Sequence, residues 1–137
     1  MAFLLDTCVW IDVERGALAP ADVAALTHSE DVYLSPVTLG ELRFGAEIAT
    51  PELRQRRLAA LARIETKPLL CIDRSTGMIF GALSAAVYAA RRQQHPRARV
   101  QDLWLASQAV QHACKLLTRN RRDFADLPGL DLVTYKL

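Results

Sequence analysis

The chain of 137 residues has few cysteines and no long apolar run. Its three cysteines are isolated and odd in number, which argues against a disulfide framework and against a cysteine metal motif. No stretch approaches the ~20 apolar residues that span a bilayer, and the short apolar start lacks the basic segment of a signal peptide. We therefore expect a cytoplasmic protein without a membrane partner, folded as one domain over residues 1–137.

The chain also has little net charge, +2, but its basic residues are unevenly divided into 14 arginines and 3 lysines. Arginine suits bidentate contacts with phosphate. A GC-rich genome would produce the same excess, so composition alone does not decide between the two explanations. Hydrophobic residues make up 51% of the chain, which predicts a globular fold and argues against disorder.

Short apolar segments alternate with longer amphipathic ones along the chain. We predict strands at residues 2–5, 31–35, 68–72, 115–118 and 130–135. We predict helices at residues 8–15, 20–28, 36–48, 52–65, 73–94 and 100–113, followed by a charged turn and short helix at 119–126. Leu42 and Phe44 are predicted to point inward, Asp73 to cap the helix that it begins, and the three cysteines to lie in the core. This alternation predicts an α/β fold: a three-layer α/β/α sandwich around a central, mostly parallel sheet of four to five strands.

Three acidic residues lie in apolar surroundings near predicted strand ends or helix starts. Asp6 follows the first strand, Glu41 lies one turn into the helix after the second strand, and Asp102 lies near the start of a later helix. Ligands of open α/β sheets bind at the carboxyl ends of the strands. Structural alternatives stay open at this point. Asp6 could cap a helix, and Asp102 could favour a helix N-terminus. Glu41 could form a capping box with Thr38.

If these three carboxylates converge, they need a cation, because like charges cannot share a small volume without neutralisation. Their ligand atoms are all oxygen, which fits Mg²⁺ or Mn²⁺ better than Zn²⁺. The histidines, His28, His95 and His112, lie far from the acidic motifs along the chain. The sequence therefore argues against a histidine general base.

Several motifs, in their order and spacing, resemble those of the PIN-domain ribonucleases. They are LLDTCVW at 4–10, VTLGELRFGA at 37–46, DLWLAS at 102–107, TRNRRDF at 118–124 and LPGL at 127–130. The resemblance covers essentially the whole chain and is closest to the VapC-type toxins of bacterial toxin–antitoxin pairs. It implies a PIN-like fold and a metal-dependent endoribonuclease that cleaves structured RNA, such as a tRNA or an rRNA loop. It also implies neutralisation by a cognate VapB-type antitoxin.

The same resemblance implies roles for individual residues. Asp6, Glu41 and Asp102 take the first three acidic positions of the family and hold Mg²⁺, which Mn²⁺ can replace, with Asp6 and Asp102 as the main ligands.

Two positions depart from the family pattern. Cys8 stands two residues after Asp6, where the family often has Asn or Ser. The fourth acidic position is altered, because Asn120 stands where the family often has an acid and Asp123 follows three residues later. We predict that Asp123 takes the catalytic role at this position, by supporting the main ligands or holding a second metal ion. A surface ion pair with the neighbouring arginines is the alternative.

Substrate contacts are expected around these motifs. Thr7 and Thr118 are predicted to orient a carboxylate or a water, and Asn120 to act as a minor ligand or substrate contact. Arg119 and Arg121 are predicted to contact phosphate, with a solvated surface as the alternative. The resemblance further implies a homodimer that forms a heterotetramer or a larger assembly with the antitoxin.

Other classes also place an acid after the first strand. Haloacid-dehalogenase-like phosphatases need a second Asp two residues later, where this chain has Cys8. A phosphoryl-accepting receiver domain fits Asp73 after the third predicted strand, but the early acidic pair and the later lysine are missing. A catalytically weak member of the PIN family that binds DNA beside an antitoxin, as in the FitB-like branch, stays open.

Overall fold

The computed structural model describes residues 1–90 and 99–137. The strands in these ranges are β1 (Phe3–Leu5), β2 (Val32–Tyr33), β3 (Lys115–Thr118) and β4 (Asp131–Thr134). The helices in these ranges are α1 (Thr7–Glu14), α2 (Pro20–Leu26), α3 (Pro36–Glu47), α4 (Pro51–Ile64), α5 (Arg74–Ala90), α6 (Val100–Gln111) and α7 (Arg121–Phe124). None of the described helices combines the length and apolarity needed to cross a bilayer.

The strands form a four-stranded sheet in the order β2-β1-β3-β4, and each neighbouring pair is parallel. In the centre of the sheet, Leu4 pairs with Tyr33 on one side and with Leu116 on the other. Parallel strands need crossover connections, which the helices provide. The predicted α/β fold with a central parallel sheet is therefore confirmed.

Side chains of β1 alternate between the two faces of the sheet, as a strand requires. Leu4 packs with Leu116 into a core that includes residues of α5 and α6, such as Leu83 and Leu105. Phe3 and Leu5 point to the opposite face, where the second core contains residues of α1. Two apolar cores separated by one sheet are the packing of a three-layer α/β/α sandwich.

The predicted strand at residues 68–72 is not formed. Only Leu69 makes a parallel bridge, to Leu34. The Leu70 N–H donates to the Leu34 carbonyl, but the Leu70 carbonyl accepts from the side chain of Gln108 at 2.6 Å. The next bond of the parallel ladder would come from the N–H of residue 36, but Pro36 has none. The buried Gln108 of α6 donates to the Leu70 carbonyl in its place, and the segment leaves the sheet after one bridge.

Two predicted core positions were also wrong. Phe44 was expected to point inward from α3 together with Leu42, but it is 64% exposed. Residues two apart on a helix do not share a face, so the helix that packs Leu42 against the core turns Phe44 to the surface. Cys71 was expected in the core and is exposed, because its segment has left the sheet.

The start of α5 agrees with the prediction from the sequence. Asp73 precedes α5 and accepts the Thr76 N–H at 3.2 Å, which is the capping role expected for this residue. The predicted end of the helix, residues 91–94, and His95 lie outside the described residues.

Candidate active site

Asp6 lies at the junction of β1 and α1, at the carboxyl edge of the sheet. It is the N-cap of α1, because its Oδ1 accepts the Thr7 N–H at 2.7 Å. Its Oδ2 accepts the Thr118 hydroxyl at 2.7 Å and the Cys8 thiol at 3.4 Å. The residue is only 6% exposed. Asp6 therefore caps a helix, as one alternative predicted, and also connects the ends of two neighbouring strands.

Burial raises the pKa of Asp6 above its usual range, and the nearby charge of Asp102 raises it further. Hydrogen bonds from Thr118, from Cys8 and from the Thr7 backbone oppose this shift. The hydrogen bonds to Asp6 do not fully offset the free-energy cost of burying its charge in the folded protein. A cation at this edge of the sheet would relieve the remaining penalty.

Glu41 is held against α1 by a hydroxyl group. The Thr7 hydroxyl donates to Glu41 Oε1 at 2.9 Å, and its Oγ1 lies 3.0 Å from Thr38 Oγ1. The N-cap of α3 is Ser35, so Thr38 does not cap the helix. The capping box proposed for Thr38 and Glu41 is therefore wrong, and the carboxylate of Glu41 is directed toward the start of α1.

Burial also raises the pKa of Glu41, and the charges of Asp6 and Asp102 add to the increase. The hydrogen bond from Thr7 and the charge of Arg99 act in the opposite direction. The charge of Asp102 thus acts on both Asp6 and Glu41, although Glu41 and Asp102 lie on different helices.

Asp102 lies in the first turn of α6 and is 2% exposed. Its Oδ2 accepts the backbone N–H of Arg99 at 3.0 Å and the Nε–H of the same residue at 3.4 Å. Asp102 therefore stabilises the start of α6, as its structural alternative predicted. Asp102 is also the main cause of the raised pKa of Arg99, and Glu41 and Asp123 add to it.

The charges at this edge suit a divalent cation. The available donors are carboxylate and hydroxyl oxygens, which Mg²⁺ and Mn²⁺ prefer. Burial raises the pKa values of Asp6 and Glu41, and the neighbouring carboxylates raise them further. Among residues 1–90 and 99–137, no three His, Cys, Asp or Glu side chains form a ready-made metal-ligand group. Each carboxylate is hydrogen-bonded to protein, which fixes its direction and leaves further oxygen lone pairs for an ion.

The fourth acidic position, represented by Asn120 and Asp123, lies where the chain passes from β3 into α7. The Asn120 N–H donates to Thr118 Oγ1 at 3.0 Å, and the side chain is exposed. Asp123 is half-buried in the first turn of α7 and acts electrostatically on Arg99. Asp123 is therefore close enough to contribute to the field of the carboxylate cluster. Arg121 is exposed at the start of the same helix.

Asp12 is a buried carboxylate that sequence reasoning missed. It is fully buried in α1, where its Oδ1 pairs with Arg119 at 3.0 Å and with Arg15 at 3.1 Å. Its Oδ2 accepts the Tyr135 hydroxyl at 2.8 Å. The available signal was an acid placed between the apolar residues Ile11 and Val13, the same kind of context that marked Asp6 and Asp102.

Arg119 was predicted to contact phosphate, and its guanidinium is instead engaged with Asp12. Its backbone N–H donates to Cys8 Sγ at 3.5 Å, beside Asp6. Arg119 therefore connects the buried carboxylate to the edge of the candidate site. A phosphate contact by this residue stays a prediction.

The family model of the PIN domain matches residues 3–130. This chain belongs to the PIN-domain family. Ribonuclease VapC4 of Mycobacterium tuberculosis (strain ATCC 25618 / H37Rv) is 31% identical to it over 132 residues, which cover 96% of this chain and 95% of the relative. The resemblance to VapC-type members that the motifs predicted is confirmed.

Solved structures give the same fold for this PIN domain. VapBC2 from Rickettsia felis, bound to a DNA fragment from the promoter, superposes with a TM-score of 0.82 at 17% identity and covers 99% of this chain and 100% of that one. VapBC-5 from Mycobacterium tuberculosis superposes with a TM-score of 0.75 at 27% identity and covers 98% of each chain.

Cys8 is the residue at which this PIN domain departs from the Asn or Ser expected two positions after the first Asp. Its Sγ lies 3.6 Å from Thr118 Oγ1, beside the bond that Thr118 makes to Asp6. Burial raises the pKa of the Cys8 thiol to about 11, and the charge of Asp6 contributes. Cys8 is therefore a neutral thiol at physiological pH and has no thiolate to act as a nucleophile.

Proposed function

We propose that this PIN domain is a VapC-type toxin: a metal-dependent endoribonuclease that hydrolyses structured RNA, such as a tRNA or an rRNA loop, in the cytoplasm. The observation that carries the proposal is the meeting of two carboxylates at Thr7, whose backbone N–H donates to Asp6 and whose hydroxyl donates to Glu41 at the carboxyl edge of the sheet. The charge of Asp102 acts on both carboxylates. The relation to a protein named Ribonuclease VapC4 supports it.

In this proposal, Asp6, Asp102 and Glu41 hold one or two metal ions. Bound Mg²⁺ or Mn²⁺ supplies charge neutralisation at the scissile phosphate and lowers the pKa of the attacking water. Thr7 holds the carboxylate of Glu41, and the Thr118 hydroxyl holds that of Asp6. These two hydroxyls fix the directions of the carboxylates before RNA binds, which reduces the reorganisation needed for catalysis.

The first test is removal of the metal. Cleavage of total RNA by the purified chain should stop in excess EDTA and return when Mg²⁺ or Mn²⁺ is added beyond the chelator, because clustered carboxylates need a cation to approach a phosphate. Gel analysis measures the loss and the return, and sequencing of the new 5′ ends identifies the RNA and the cleavage site. Full activity in excess EDTA would contradict the proposed metal-dependent mechanism.

A second test concerns the fourth position. Asp123→Asn should reduce the cleavage rate less than Asp6→Asn does and should raise the Mg²⁺ concentration that gives half activity, because Asp123 contributes charge near Arg99 without being one of the main ligands. Asn120→Ala should change the metal dependence little. An unchanged Mg²⁺ titration for Asp123→Asn, with a clear change for Asn120→Ala, would reverse the assignment.

We also propose a VapB-type antitoxin as partner, with the toxin as a homodimer inside a heterotetramer or a larger assembly. VapBC-5, at 27% identity, is a member of the VapBC family of toxin–antitoxin systems. An Arg or Lys of the antitoxin would be attracted to the acidic cluster and would compete with metal there. If the complex binds DNA and the free chain does not cleave RNA, the alternative of a catalytically weak PIN domain that binds DNA beside an antitoxin would be favoured.

A further inference from the structure

A positive charge lies beside the candidate active site, on Arg99 immediately before α6. Its Nε lies 3.4 Å from Asp102 Oδ2. Its charge also acts on Glu41, where it opposes the rise in pKa that burial causes. In the part of the chain that the structure describes, no other Lys or Arg side chain forms an ion pair or a hydrogen bond with Asp6, Glu41 or Asp102. Arg99 therefore supplies positive charge to these carboxylates in the metal-free protein.

The two partners of this ion pair differ in how firmly they are held. The side chain of Asp102 is only 3% exposed, and its Oδ2 also accepts the backbone N–H of Arg99 at 3.0 Å. The side chain of Arg99 is 62% exposed, and the bond to Asp102 is the one side-chain hydrogen bond that it makes with a described residue. The guanidinium can therefore move into water, whereas the carboxylate stays in the site.

We propose that Arg99 is the counter-ion of the carboxylate cluster while no metal is bound, and that it competes with a divalent metal ion for Asp102. Arg99 moves outward into solvent when a metal takes its place, because like charges repel at this range. The inference rests on the proposed function, which assigns the metal to Asp6, Glu41 and Asp102. Arg99 thereby sets the metal concentration that the site requires.

The size of the effect follows from the charges. Two unit charges 4 Å apart in water interact strongly enough to change a binding constant about fivefold. A divalent ion doubles this interaction, and salt reduces it because the guanidinium is exposed. Loss of the charge at Arg99 should therefore tighten metal binding about 5- to 10-fold.

The test compares two arginines that each pair with an acid of their own helix region. Arg99→Gln removes the charge beside Asp102 and keeps the backbone N–H that Asp102 accepts. Arg43→Gln is the matched control, because Arg43 is 61% exposed and pairs with the exposed Glu47 at 2.9 Å. Titration calorimetry with Mn²⁺ alone, without RNA, should give a Kd about 5- to 10-fold lower for Arg99→Gln and within about 2-fold of the wild type for Arg43→Gln.

A second variant separates charge from shape. Arg99→Lys keeps the positive charge but lacks the guanidinium, so its Kd for Mn²⁺ should stay within about 2-fold of the wild type. Circular dichroism in EDTA checks that each variant is folded. At one fixed Mn²⁺ concentration, the melting temperature of Arg99→Gln should rise more than that of the wild type, because a tighter ligand stabilises the folded state more.

Two results would overturn the proposal. An unchanged Kd for Mn²⁺ in Arg99→Gln would show that the arginine does not oppose metal binding. A higher Kd in this variant would show that Arg99 instead holds Asp102 in position for the metal, as a positioning residue.

Metal binding and RNA cleavage are measured separately, so this proposal and the proposed function can fail independently. Tighter Mn²⁺ binding by Arg99→Gln, without cleavage of total RNA by the wild type, supports the competition and contradicts the ribonuclease. Cleavage by the wild type, with the same Kd for Mn²⁺ in wild type and Arg99→Gln, supports the ribonuclease and overturns the competition.

Discussion

The Asp6→Asn variant should keep its fold and lose RNA cleavage by about 10²- to 10⁴-fold, the equivalent of roughly 3–5 kcal/mol in activation free energy. The amide has the shape of the carboxylate and can still cap α1 through its oxygen, where the Thr7 N–H donates. It brings no negative charge, which a main metal ligand must supply. Rates from single-turnover cleavage of a mapped RNA fragment measure the loss.

The same substitution should not destabilise the metal-free protein. Burial raises the pKa of Asp6, so the folded state favours the protonated carboxyl. The stability contributed by such a group is present at low pH and is lost as the pH rises through its raised folded-state pKa. In EDTA at pH 7, Asp6→Asn should therefore melt at or above the wild-type temperature, and its melting temperature should depend less on pH over the acidic range.

A matched control is Asp73→Asn, a second aspartate that caps a helix. Asp73 also bonds to Gln111, at the end of α6 that is about 14 Å from Asp102 along the helix axis. This variant should cleave RNA at close to the wild-type rate. Equal losses in Asp6→Asn and Asp73→Asn would mean that both residues act only as caps.

The general fold and the edge that carries the carboxylates were predictable, because both follow from local patterns. Apolar runs predicted β1 and β3, and parallel strands bring their carboxyl ends to one edge of the sheet. Asp6 and Thr118, which end these strands 112 residues apart in sequence, consequently meet in a hydrogen bond. The assignment of metal ligands depends on the family resemblance and stays a prediction.

Features that depend on a distant partner were not predictable in the same way. The apolar run at 68–72 has the composition of a strand, but a glutamine 38 residues later takes the Leu70 carbonyl. Nothing local indicates that bond. The capping-box pattern of Thr38 and Glu41 likewise looked local, yet Thr7, on another helix, binds the glutamate. Local patterns were wrong where a buried side chain from another element supplied a competing hydrogen bond.

Asp12→Ala should strongly destabilise the fold, although Asp12 lies outside the candidate site. It removes two ion pairs and leaves the buried Tyr135 hydroxyl without its acceptor. An orphaned buried hydroxyl costs about 1–3 kcal/mol. Loss of the two ion pairs adds less to this cost than loss of fully buried ion pairs would, because the side chains of Arg15 and Arg119 are 50% and 34% exposed. The expected total is about 2–4 kcal/mol, a fall of roughly 6–12 °C in melting temperature for a chain of this size.

A double-mutant cycle with Tyr135→Phe identifies the cause of this loss. Tyr135→Phe alone removes one hydrogen bond and should cost about 1 kcal/mol. In the Asp12→Ala background the same change removes a hydroxyl that has already lost its acceptor, so it should be neutral or stabilising. Urea denaturation measures all four proteins, and the difference between the two Tyr135→Phe effects is the coupling energy. Additive effects would show that the hydroxyl does not depend on Asp12, and that the cost of Asp12→Ala arises from the arginine pairs and the vacated volume.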